Sequence, residues 1–123
     1  MRHRRPATSL VLVALLAAGG CGSGTDDLVR RTAEDFTSAV AAGDSQRACA
    51  LLTDRAREGV ECSSLDLPGG APVEEVEVWG DAARVRTDTD VLFLRELSSG
   101  WHVSGAGCVA RPDRPYACGV GGP

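Results

Sequence analysis

Cysteines stand at positions 21, 49, 62, 108 and 118 of the 123-residue chain. An odd number cannot all pair within one chain, so one of them must do something else. Cys21 lies apart from the others, between glycines in "AAGGCGSG". Cys49, Cys62, Cys108 and Cys118 remain, and four cysteines allow three pairings. The pairing between near neighbours, Cys49 with Cys62 and Cys108 with Cys118, is the expected one. The alternative is a zinc site. It is disfavoured because the chain has no C-x-x-C pair and His102 is the only histidine beyond residue 20.

The segment before Cys21 explains why it stands alone. "MRHRRPATS" carries Arg2, Arg4 and Arg5 and no acid, and "LVLVALLAA" from Leu10 to Ala18 is an unbroken apolar run. A membrane-spanning helix needs about 20 apolar residues, so this run is too short to be one. A basic start, a short apolar core and then small residues is the form of a secretory signal peptide. "AGGC", Ala18 to Cys21, resembles the lipobox of bacterial lipoprotein precursors. Gly20 before the cysteine is typical of that motif, whereas Ala18 stands where leucine is usual. The resemblance implies cleavage before Cys21 and lipid on its thiol, with palmitate the expected acyl group. Plain secretion is the competing reading. The Arg4-Arg5 pair lacks the apolar residues that should follow it at once in a twin-arginine signal, so the general route is expected.

Export would place the other four cysteines in an oxidising compartment, where disulfides persist. Beyond residue 20 the chain carries ten Arg against 17 Asp and Glu, a net charge of −7. That balance disfavours nucleic acid and anionic headgroups as partners. Lys, Asn and Ile are absent, which suggests a GC-rich genome. The aromatics are Phe36, Phe93, Trp79, Trp101 and Tyr116, so the core must consist mostly of Val, Leu and Ala. A core this small is marginal, and disulfides would support it.

"TDDLVRRTAEDFTSAVAAGD" predicts a helix capped by Thr25 or Asp26. Val29, Ala33, Phe36 and Val40 form its apolar face, and Gly43 stops it. Asp44 or Ser45 opens a short helix through "QRACALL", and "DRAREGV" adds a further turn or two after Thr53 or Asp54. "SSLDLPGGAP" is a loop. The hydrophobic period then changes from helical to two. "VEEVEVWG", "AARVRT", "VLFLREL" and "WHVSGAGC" predict four strands joined by short turns, an antiparallel meander. Glu75 and Glu77 are expected across from Arg84 and Arg86 on one face, worth under about 1 kcal/mol per pair. The tail "VARPDRPYACGVGGP" predicts nothing regular beyond an extended piece at Tyr116 to Cys118.

The expected organisation is a signal peptide at 1–20, a lipidated flexible tether at 21–27, one α+β domain at 28–118 and a disordered tail at 119–123. The fold class is helices packed on a curled four-stranded antiparallel sheet with two disulfides.

"FTSAVAAGDSQRACALLTDRARE" and "VWGDAARVRTDTDVLFLRELSSGWHVSGAGC" resemble small lipoproteins of high-GC Gram-positive bacteria. These in turn are similar to the nuclear transport factor 2-like superfamily, also called SnoaL-like or cystatin-like. The resemblance rests on the Gly43-Asp44 junction between helices, the "WGD" hairpin and the last strand opening at Trp101. It implies a cone between the first helix and the sheet. The fold hosts enzymes and binding modules alike and does not specify function.

Enzymes of that superfamily need a carboxylate or histidine base and a donor for the developing oxyanion. Asp88 and Asp90 are expected in a solvated turn. His102 alternates with Trp101 and Val103 and is expected to face water. Tyr116 is expected to pack beside a disulfide. No Ser-His-Asp or Cys-His set is available, and "PGGAP" is no phosphate loop. The cone lining is expected to be apolar: Phe36, Val40, Val78, Val85, Phe93, Trp101 and Val103, with Val76 alongside. An apolar cone suits binding rather than proton abstraction. The expectation is therefore a non-catalytic lipoprotein without cofactor or metal. It would lie outside the cell membrane, touch it only through the lipid on Cys21, and bind a ligand or an envelope protein. The alternatives are a small SnoaL-like isomerase, cyclase or dehydratase, and an envelope-assembly factor acting by contact alone.

Overall fold

The computed structural model describes residues 21–113 and 115–123. Residues 1–20, expected to be a signal peptide, lie outside the described residues. Three helices come first: α1 (Cys21–Ala41), α2 (Ser45–Ala50) and α3 (Asp54–Arg57). Five strands follow: β1 (Val73–Trp79), β2 (Ala82–Thr87), β3 (Val91–Leu97), β4 (Gly100–Cys108) and β5 (Val120–Gly121). They form one antiparallel sheet in the order β1-β2-β3-β4-β5. The fold is thus α+β, with one strand more than the four expected.

Helix α1 follows the spacing of its apolar residues. Val29, Ala33 and Phe36 are buried, and Val40 is half-buried against the same cluster. The helix ends where Gly43 takes a positive φ of 72°. There the amide of Gly43 donates to the Val40 carbonyl at 3.1 Å and that of Asp44 to the Ala39 carbonyl at 2.9 Å. These two bonds satisfy carbonyls that the helix end leaves open, the arrangement of a Schellman motif. The Asp44 carboxylate then accepts from the Arg47 amide at 3.2 Å and caps α2, and the Thr53 hydroxyl accepts from the Ala56 amide at 3.1 Å and caps α3. The start of α1 differs from expectation. Residues 21–27, expected as a flexible tether, are helical, so Thr25 and Asp26 lie inside the helix rather than capping it. Cys-Gly-Ser-Gly-Thr-Asp-Asp are weak helix formers, so local propensity does not account for these turns; they extend the packed helix backwards with no Pro to interrupt it.

Beyond α2 the chain pairs briefly with the sheet. The Val103 amide donates to the Leu51 carbonyl at 2.7 Å, and the Thr53 amide donates to the Val103 carbonyl at 2.9 Å. Leu52 is buried at this junction. Cys49 and Cys62, at bonding distance, clamp α2 to the segment after α3.

Strand alternation places Val76, Val78, Ala83, Val85, Leu92, Leu94, Trp101 and Val103 on the face toward α1. The other face carries Glu77 opposite Arg84 and Glu75 opposite Arg86, the register expected from charge. Arg84 binds Glu77, donates to the Tyr116 hydroxyl at 3.4 Å, and lies 5.7 Å from the Trp79 ring centre. The Arg84 guanidinium holds the Glu77 carboxyl below the ordinary glutamate value, and Glu77 in turn raises Arg84. The stabilisation from Glu77 is therefore present above the ordinary carboxyl pKa and is lost as pH falls through its depressed value.

Phe93 is not on the inner face. It lies across from Arg84 on the outer face, and the Tyr116 ring meets it edge-on at 5.1 Å. "VLFL" is apolar without a break, so its phase cannot be taken from alternation. Leu92 and Leu94 are the buried pair.

The tail also differs from expectation. Cys108 and Cys118 lie at bonding distance. The Val109 and Ala117 amides exchange hydrogen bonds with each other's carbonyls at 2.9 and 3.0 Å, and the chain then adds β5 beside β4. Val120 is buried, so 119–123 is not a disordered tail. The bridge and the paired residues after it hold this glycine-rich segment in place. Gly121 has a φ of 60°, and a Cβ there would meet the Ser104 carbonyl oxygen at 2.0 Å. Gly121→Ala is expected to detach β5 from β4. Hydrogen exchange should report it, with at least a tenfold rise at the Gly122 amide, which donates to that carbonyl at 3.1 Å.

Candidate functional site: a cleft at the β4–β5 end of the sheet

Most of the residues expected to line an apolar cone are packed into the core instead, and none of them lines the cleft described below. Phe36, Val85, Trp101 and Val103 are buried in the core cluster, with Val40 and Val78 packed against it. Phe93 is on the opposite face. Branched aliphatic side chains from α1 and the sheet pack directly on one another, because a core with few aromatics needs every Val and Leu it has.

A cleft of about 760 Å³ lies instead where α3 meets the far end of the sheet. The N-cap of α3 places Thr53 on its wall, and the helix adds Arg55 and Ala56. Arg95 and Leu97 come from the end of β3, and Ser104 from β4. The backbone of Gly121 and Gly122, with Pro123, closes the third side. Two arginines face this space and the wall contains no acidic side chain. Arg95 has one acidic neighbour, Asp81, at 3.7 Å, and both side chains are solvent-exposed. The Ser104 hydroxyl oxygen is buried and makes no hydrogen bond. Leu97 is a large apolar side chain left 43% exposed.

The other candidates are held in structural roles. Asp88 is exposed in its turn, as expected. Asp90 is not merely solvated. One carboxylate oxygen accepts from the Thr87 hydroxyl at 2.9 Å and the other from the Gly107 amide at 3.0 Å, tying the β2–β3 turn to β4. His102 is half-buried on the outer face opposite Arg95, and its Nδ1 lies 3.1 Å from the Gly100 carbonyl. Tyr116 packs on Phe93. These groups do not converge on the cleft.

Sequence reasoning missed Arg55, Arg95, Leu97, Ser104 and the Gly121–Pro123 wall. The one available signal was "CGVGGP", whose glycines allow close backbone approach as well as disorder. Among the described residues no group of three His, Cys, Asp or Glu could hold a metal ion, and no helix is long and apolar enough to cross a membrane. No protein-family model matches the chain, and no curated protein or solved structure matches it.

Proposed function

We propose that the chain is the precursor of an exported lipoprotein, cut before Cys21 and anchored by lipid on its thiol. Its folded part is a non-catalytic binding module that works at the extracytoplasmic face through the β4–β5 cleft. The observation that carries this reading is the partition of the cysteines. Four pair with one another, and the fifth follows a basic and apolar leader. Two disulfides fit an oxidising compartment. The bonds that occupy Asp90 and His102 favour binding over proton abstraction. The order of helices before an antiparallel meander supports the likeness to the nuclear transport factor 2-like superfamily.

Cys21→Ser tests the anchor. Wild-type protein expressed in a bacterium with the lipoprotein pathway should label with palmitate and sediment with membranes. The variant should lose the label, and at least nine-tenths of it should leave the membrane fraction. A variant that stays labelled or equally membrane-bound overturns the proposal.

A further inference from the structure

We propose that the β4–β5 cleft takes a small organic acid, with its oxyanion held between Arg55 and Arg95 and a short apolar body against Leu97 and Pro123. The proposal rests on the reading of the domain as a binding module and names the ligand class of that site.

Charge is the first reason. The whole chain has 17 acidic residues and a net charge of −4, yet the cleft wall carries two arginines and no acidic side chain. Pro123, which ends this chain in an α-carboxylate, also lines the wall, so the cleft carries two cationic groups against one anionic group, a balance opposite to that of the whole chain and one that attracts anions. The arginines elsewhere show how this chain neutralises such charge when it serves structure. Arg57 binds Asp54, Arg84 binds Glu77, and Arg86 lies 2.8 Å from Glu74. In the cleft Arg95 approaches Asp81 at 3.7 Å, between two exposed groups and about as loosely as Arg47 approaches Asp35 at 3.6 Å outside it. That distance leaves the planar guanidinium free to present paired N–H donors to an oxyanion, the contact for which arginine is best suited.

Shape and polarity give the second reason. About 760 Å³ lies within the range of small-molecule sites. The Ser104 hydroxyl sits in the wall without a hydrogen-bond partner, and a buried polar group in that state is costly. Gly121 and Gly122 offer backbone without side chains, so a ligand approaches closely there. Leu97 would lose its exposure to water against an apolar ligand body.

The test is a binding titration of the full-length, oxidised chain, followed through the backbone amide resonances of Ser104, Gly121 and Gly122. The probes are hexanoate, hexyl phosphate, inorganic phosphate and, as the uncharged control, hexanol. Hexanoate or hexyl phosphate should move all three resonances saturably. The tighter of the two identifies the carboxylate or the phosphate as the natural head group. The double variant Arg55→Gln/Arg95→Gln should bind at least tenfold more weakly. Both side chains are exposed, so its remaining resonances should stay in place. Hexanol should leave the cleft resonances unmoved. If hexanol binds as well as the acids, or the double variant binds them equally well, the cleft is an apolar site. The anion proposal then falls while the binding-module reading stands. If no probe moves these resonances, both the anion proposal and the choice of this cleft fall. The anchoring of Cys21 is read by a separate experiment and is unaffected by either result.

Discussion

Reducing both disulfides should lower the unfolding free energy by about 5–6 kcal/mol. The two bridges span 13 and 10 residues. Closing loops of that length in the unfolded chain contributes about 3 kcal/mol each in the chain-entropy account. The loops do not overlap in sequence, so their effects should add. Small domains are stable by only about 5–15 kcal/mol, so the reduced chain should be largely unfolded or close to it. Urea unfolding of the oxidised and reduced protein measures the total. The pairs Cys49→Ala/Cys62→Ala and Cys108→Ala/Cys118→Ala separate the two contributions. A loss below about 1 kcal/mol for either pair would show that its bridge is not a structural support. Peptide mapping without reductant should recover Cys49 with Cys62 and Cys108 with Cys118, and a Cys49–Cys108 peptide would refute the fold.

Phe36→Ala should cost about 3–5 kcal/mol, the range for removing a buried aromatic side chain. Phe36 is 1% exposed and is the largest of the fully buried side chains. It reaches from α1 into the cluster formed by the inner face of the sheet. Few other large groups are available to collapse into the space it leaves, because most of its neighbours are Val, Leu and Ala. Val40→Ala, one turn further along, should cost much less, since Val40 is only half-buried. Thermal and urea unfolding of both variants checks the ranking. Equal losses, or a loss under about 1.5 kcal/mol for Phe36→Ala, would mean that α1 does not pack on the sheet in this way.

Much of the fold is legible in particular residues. The change of hydrophobic period after Pro72 separates helices from strands. Gly43 ends α1 because only a residue without a side chain takes that backbone conformation easily. Glu75 and Glu77 find Arg86 and Arg84 because cross-strand pairs follow from register. What was not legible has physical reasons too. The phase of "VLFL" is hidden when both faces of a strand are apolar. The strand at Val120–Gly121 is two residues long and owes its place to a disulfide and to partners in β4, neither of which is local. The cleft escaped for the same reason. Its wall is assembled from a helix end, two strand ends and a tail, and no spacing within one segment encodes that meeting.

Strand β1 forms one border of the sheet, and a border strand is open to pairing with a copy of itself. "VEEVEVW" sets three carboxylates along that border, each within reach of an arginine on β2. Two such borders brought together antiparallel would oppose glutamate to glutamate, with their arginines already committed behind them. An acidic border of this kind discourages growth of one sheet into the next, a safeguard built into the strand's own sequence.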